Sequence, residues 1–128
     1  MALGKIKADT LEHSTAGSLG TEFFVNGSSK HWISVTYNSG TPTNRDSLNV
    51  SSIADTAAGE CTVTLSTAFN AATDYCWVSG TLNTSASQEQ ITCYTKAASN
   101  YKTYNYNSGG AGGIDPEGFY VVSIGDLA

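Results

Sequence analysis

The chain has 128 residues, enough for one domain with a short appendage and too few for two domains of ordinary size. Charged residues make up only 13% of it, and six basic against eleven acidic residues leave a net charge of −5. The basic residues Lys5, Lys7, Lys30, Arg45, Lys96 and Lys102 are scattered, so the concentrated positive patch that binds nucleic acid or an anionic membrane is missing, and neither is expected as a partner.

Residues 1–30 read as an N-terminal arm for attachment or oligomerisation, and residues 31–128 as the folded domain. Within the arm, Lys5 to Leu11 (KIKADTL) and Thr21 to Gly27 (TEFFVNG) are extended candidates separated by the small-residue loop Ser14 to Gly20. Phe23, Phe24 and Val25 form a compact apolar patch. It packs either on its own domain or, in the functional reading, on another subunit or a larger particle. Met1 to Leu11 carries Lys5, Lys7 and Asp9 and so lacks the apolar stretch of an export signal. No apolar run approaches the roughly 20 residues of a membrane span.

From Trp32 onward, period-two alternation with β-branched and aromatic filling predicts seven strands. They are Trp32 to Tyr37, Ser47 to Ile53, Glu60 to Ser66, Asp74 to Thr81, Gln90 to Thr95, Tyr101 to Tyr106 and Phe119 to Gly125. Turn residues punctuate them at Asn38 to Pro42, Asp55 to Gly59, Asn70 to Asp74, Asn83 to Ser87 and Asn107 to Gly118. In SLNVSSI the alternation through Leu48 and Val50 breaks phase at Ser51-Ser52 before Ile53. The fold class is therefore all-β, an antiparallel β-sandwich (jelly-roll-like) of about seven strands with a short extended arm. Trp32, Val63, Leu65, Trp77 and Val121 are expected to share its core.

The stretch Arg45 to Gly80 resembles a recurrent module of tailed-bacteriophage virion proteins, especially from phages of marine and freshwater bacteria. The similar pattern is a Trp-bearing strand (Trp32), the turn Arg45-Asp46-Ser47, NVSSI (Asn49 to Ile53) and an acidic-Gly turn (Asp55 to Gly59). Thr62-Val63 and Asn70 to Trp77 continue it, and the ends MALGKIKADTL and VVSIGDLA are similar as well. One departure is the turn DTAAGE, which is usually richer in Asn and Gly. The resemblance spans nearly the whole chain. It implies a non-enzymatic structural protein of the virion, made in the host cytoplasm, without cofactor. It also implies a homo-oligomer, a trimer by preference, that contacts other virion proteins. Tail fibre or fibre knob comes first, with a host-surface glycan as a further partner. A capsid decoration or head-fibre protein is the alternative, and a carbohydrate-binding module a third reading.

Tyr104 and Tyr106 share one face of a strand, with Asn105 and Asn107 on the other, and Tyr94 and Tyr101 lie nearby in sequence. Aromatic faces beside amides suit a sugar ring, whereas a cross-strand aromatic ladder or a subunit contact is the plainer reading. The glycine-rich loop Asn107 to Gly118 lacks the Lys and the following helix of a phosphate loop. Asp115 and Glu117 would need further converging oxygens to hold calcium, so the segment reads as a hairpin tip. Cys61, Cys76 and Cys93 read as small buried strand residues, although one pair could bridge neighbouring strands. They lack the spacing of a zinc site. His13 and His31, each in a polar context, read as exposed. No carboxylate pair has hydrolase spacing, so no catalytic, cofactor or metal residue is expected.

Overall fold

The computed structural model describes residues 8–15, 17–82, 89–107 and 112–128. The predicted turn Asn83 to Ser87, the tip of the glycine loop at 108–111 and the first seven residues lie outside the described part. Two four-stranded antiparallel sheets face each other. One has the order β4-β3-β10-β7, with β3 at Ser29–Asn38, β4 at Thr41–Leu48, β7 at Tyr75–Leu82 and β10 at Gly118–Gly125. The other has the order β5-β6-β9-β8, with β5 at Val50–Ala57, β6 at Glu60–Leu65, β8 at Glu89–Lys96 and β9 at Asn100–Asn107. A small hairpin, β1 (Thr10–His13) with β2 (Gly17–Gly20), and a short helix α1 (Thr21–Gly27) precede them.

The all-β sandwich agrees with the sequence reading, with eight strands in the two sheets. The extra strand comes from Ser47 to Ile53, which is not one strand but the junction of two. β4 ends at Leu48, Asn49 takes a positive φ of 60°, and β5 begins at Val50 in the opposite sheet. Asn tolerates this left-handed conformation better than other side chains because its short amide bonds locally. Here the Asn49 amide accepts from Thr67 N–H at 2.7 Å and donates to Thr67 O at 3.0 Å. A strand that switches sheets at such a bend builds the corner of a sandwich. Two residues after Asn49 the phase break at Ser51 is a β-bulge, since Val50 pairs with Leu65 but Ser52 pairs with Thr64. The Ser51 hydroxyl donates toward the carbonyls of Thr64 and Leu65.

Alternation fills the core from both sheets. Ile33 and Val35 of β3, Phe119 and Val121 of β10 and Tyr75 of β7 meet Cys61, Val63 and Leu65 of β6 and Tyr101 of β9. Of the five expected core residues, Val63, Leu65 and Val121 are buried and Trp77 packs against them, stacked on Tyr101. Trp32 is corrected. Its neighbours Ile33 and Val35 point inward, so Trp32 shares the outer face with Ser34 and Thr36 and pairs with Val122 and Leu48.

The same parity carries His31 inward, and it is fully buried rather than exposed. Its Nδ1 lies 3.1 Å from Ser123 Oγ and its Nε2 3.2 Å from the Tyr101 hydroxyl. Both partners are hydroxyls that can donate or accept, so either neutral tautomer is satisfied. Ser123 and His31 belong to one sheet and Tyr101 to the other, so the three side chains bridge the sandwich. Burial lowers the His31 pKa to about 4 and pushes the Tyr101 hydroxyl far above the ordinary phenol value.

The arm also differs from expectation. TEFFVNG is helical, not extended. Three consecutive apolar residues fit neither a helical nor a strand period, and the helix is fixed instead by its ends. Thr21 N–H donates to Asp9 O and its hydroxyl to Ala8 O, while Ser28 N–H donates to Phe24 O and both Lys30 Nζ and Ser28 Oγ reach Val25 O.

Two outcomes test this construction. In the unfolded chain His31 titrates near 6.5, whereas in the folded protein it titrates near 4, so the folded state binds fewer protons between those values. The stabilisation is fully present above the unfolded pKa and is lost as pH falls toward the folded one, a loss of about 3 kcal/mol. Urea titrations of the native chain and His31→Gln across this window should show the variant with a much shallower acid dependence; parallel curves would place His31 in water. At the corner, Asn49→Ala should cost about 2–3 kcal/mol through two lost hydrogen bonds and a strained φ, and Asn49→Gly about 1 kcal/mol less. Equal stabilities for all three proteins would remove Asn49 from that role.

Candidate functional site

The outward face of the β5-β6-β9-β8 sheet carries a cluster of accessible polar and aromatic side chains. In β9, strict alternation sends Tyr101, Thr103 and Asn105 into the core and Lys102, Tyr104 and Tyr106 outward. Tyr104 pairs with Glu60 of β6 on one side and Thr92 of β8 on the other, and Tyr106 pairs with Gln90. A bulge in β8 between Cys93 and Thr95 sets Tyr94 beside Tyr104. Bulges re-aim a side chain in this way while leaving the ladder intact on either side.

The three rings form a continuous ladder. Tyr94 meets Tyr104 edge-on at 5.9 Å between centroids, and Tyr104 stacks on Tyr106 at another 5.9 Å. The Tyr106 hydroxyl donates to Gln90 Oε1 at 2.8 Å, which fixes that ring. At the Tyr94 end, Lys102 Nζ lies 3.4 Å from Glu60 Oε2 and 3.5 Å from the Tyr94 hydroxyl. Glu60, Tyr94 and Tyr104 line an open groove of about 330 Å³.

Hydrogen bonding from the Tyr94 hydroxyl, assisted by Lys102 and Thr56 and opposed by partial desolvation, holds the Glu60 carboxyl below the ordinary carboxylate range. The same Tyr94 contact and Glu60 hold Lys102 above the ordinary amine value. The groove therefore offers a fixed anionic acceptor beside two aromatic faces. A polyhydroxylated ring fits this chemistry, with C–H faces against the tyrosines and hydroxyls donating to Glu60. One ionised carboxylate is not the acid–base pair that hydrolysis of a glycosidic bond needs.

Tyr104 and Tyr106 thus stand together on the surface as the alternation predicts. Asn105 does not join them, because the parity that exposes the tyrosines buries it completely. Its Nδ2 donates to Gly59 O at 3.0 Å. Asn107 lies on the same inward side, with its Oδ1 buried. Lys102 of β9 itself is one polar partner of the ladder; the others, Glu60 and Gln90, come from neighbouring strands. Only strand pairing reveals them, and the sequence around the tyrosines holds no sign of Glu60. Phe23, Phe24 and Val25 are 65%, 60% and 54% exposed, on α1 and away from this sheet.

The described part of the glycine loop is packed against the site instead of projecting as a tip. Gly113 pairs with Tyr106, and Ile114 N–H donates to Asn105 O. A Cβ at Gly113 would fall 2.0 Å from Ala58 O and 2.9 Å from the Tyr104 ring. The Asp115 carboxylate accepts from Gly59 N–H at 2.7 Å, so it closes the β5–β6 turn. Among the described residues, no three His, Cys, Asp or Glu side chains converge to hold a metal ion, and no helix is long and apolar enough to cross a membrane.

The three cysteines are free. Cys61 is buried, its thiol pushed up to about 12 chiefly by desolvation, and Cys93 is half-buried. Cys76 is corrected from buried to exposed, because Tyr75 and Trp77 take the inward positions of β7. The His31 and Ser123 pair is sealed in the core, 0% and 1% exposed, and has no access to a substrate. No family model, curated protein or solved structure matches the chain.

The ladder depends on the turn behind it. Gly59 has a φ of +76°, and a Cβ there would meet Asn105 O at 2.5 Å and Ile114 N at 2.7 Å. Gly59→Ala should therefore cost more than the roughly 1–2 kcal/mol of the left-handed backbone alone, read as a lowered urea midpoint. An unchanged midpoint would mean that the turn and the returning loop are not packed as described.

Proposed function

We propose that this chain is a non-enzymatic structural protein of a tailed-phage virion, a fibre or fibre knob that touches a glycan of the host surface. The single observation that carries the contact role is the ordered ladder Tyr94–Tyr104–Tyr106, with Tyr94 exposed and Tyr104 and Tyr106 partly exposed, beside a groove with an ionised Glu60. Rings held by strand register, a hydrogen bond to Gln90 and each other lose little freedom on binding, which is the main cost of a weak contact. The phage setting rests on the resemblance of Arg45 to Gly80 and of both chain ends to virion proteins.

A single groove of this size binds one sugar unit weakly. Repetition on a particle turns weak contacts into firm attachment through avidity. The chain acts in this reading as one of several copies, among other virion proteins, and binds neither nucleic acid nor a cofactor. Decoration of the capsid is the other virion role, and the two separate experimentally.

Tyr104→Ala combined with Tyr106→Ala should leave the sandwich folded, since both rings lie outside the core. Phage carrying the double variant should form intact particles that contain the protein and adsorb to host cells several-fold more slowly. Normal adsorption by particles that contain the variant would refute the glycan contact. Loss of the folded variant from purified virions would make the ladder an assembly contact and favour decoration.

A further inference from the structure

The outward face of the β4-β3-β10-β7 sheet is the chemical opposite of the tyrosine face. Strand register aligns Leu48, Trp32, Val122 and Val78 in one row across all four strands. Ile124 and Tyr120 flank Val122 along β10. Trp32 is half-buried, and the others are not covered: Val78 is 74% exposed, Leu48 47%, Val122 42% and Ile124 39%. The outward positions of β3, β10 and β7 within this patch carry no charge, and Asp46 stands only at the β4 edge, paired with Ser34.

The same chain carries a second apolar surface, the Phe23-Phe24-Val25 edge of α1. It is presented and not slack, because hydrogen bonds hold both helix ends, to Ala8 and Asp9 at the start and to Ser28 and Lys30 at the finish. α1 packs beside β10, yet its large side chains face water instead of their own sheet.

We infer that α1 of one copy docks, through Phe23, Phe24 and Val25, on the Leu48–Trp32–Val122–Val78 row of another copy. A second copy is the occupant that leaves neither surface exposed, since each chain supplies one projection and one face. The charges beside the projection are Glu22 and Lys30, one of each sign, and the row itself carries none, so neither surface presents a single-signed pattern that would select a charged partner. Each projection-to-face contact brings together on the order of 700 Å² of apolar surface from the two chains, about half of what a stable pair buries, so it holds an assembly only when closure makes every copy use both its surfaces. Projection-to-face contacts are head-to-tail, and they close into a ring when the rotation permits. This assigns surfaces to the oligomer expected in the virion reading without resting on that reading. The tyrosine ladder lies on the other sheet, so failure of adsorption and failure of assembly are separately visible.

The test uses the purified full chain at tens of micromolar in light scattering after size exclusion. The native chain should run as a closed oligomer. Phe23→Ser with Phe24→Ser, and separately Val78→Lys, should each lose the oligomer peak and give monomers with unchanged circular dichroism and a single cooperative melt that no longer depends on concentration. Cys76, exposed on this face beside Val78, supplies a readout that needs no variant. Its labelling by a soluble thiol reagent, located by peptide mass spectrometry, should be slow in the concentrated native protein and quicken on dilution. A monomeric native chain at that concentration overturns the inference. So does an oligomer that survives either variant, or Cys76 labelling that is independent of concentration.

Discussion

The hydrogen-bonded bridge Ser123–His31–Tyr101 is the constraint on which the rest of the structure turns. A buried imidazole is tolerated only if both nitrogens find partners and the ring stays neutral. Here one partner comes from the neighbouring strand of the same sheet and the other from across the core. Fixing His31 inward fixes the parity of β3. A slip of one residue would turn Ile33 and Val35 to water and bring Trp32, Ser34 and Thr36 inside. The parity of β10 follows through its pairing with β3, and that of β9 through Tyr101. Both outer faces are therefore set by the same interior contact.

Those outer faces divide the surface chemistry. On the β9 sheet, tyrosines alternate with Lys102 and sit against Glu60, a surface that stays wet and can hydrogen bond. On the β3 sheet, Trp32, Val122 and Val78 form an apolar row that water solvates poorly. A sandwich whose two faces differ in this way suits one face turned toward like subunits and the other left outward. The corner at Asn49 and the turn at Gly59 give no chemistry of their own. They hold the two sheets and the returning loop in the positions that make the faces continuous. The segment NVSSI is the corner and its bulge.

The sandwich was legible because period-two alternation in β6, β7, β9 and β10 is a direct consequence of strand geometry. The phase break at Ser51-Ser52 was also visible, and it is a bulge. The corner was hidden, because Asn49 interrupts an otherwise extended run without a glycine or proline to mark it. Trp32 and His31 were assigned to the wrong faces by residue type. Parity with the β-branched Ile33 and Val35 would have assigned both correctly. The helix was missed since its cause is tertiary: bonds at its two ends, with no helical period in the sequence. In the candidate site, the shared direction of Tyr104 and Tyr106 followed from spacing alone. Glu60 was out of reach, because it depends on which strand pairs with β9 and in which register. Asn105 shows the cost of reading amide and ring together when alternation separates them.

The most direct measurement is the titration of the His31 ring by NMR in the intact protein. The account predicts imidazole shifts that stay constant from neutral pH down through the ordinary histidine range and move only near pH 4. A midpoint near the ordinary histidine value of 6.5 would put His31 in water. The parity of β3 would then be reversed, and the assignment of both outer faces would fall with it.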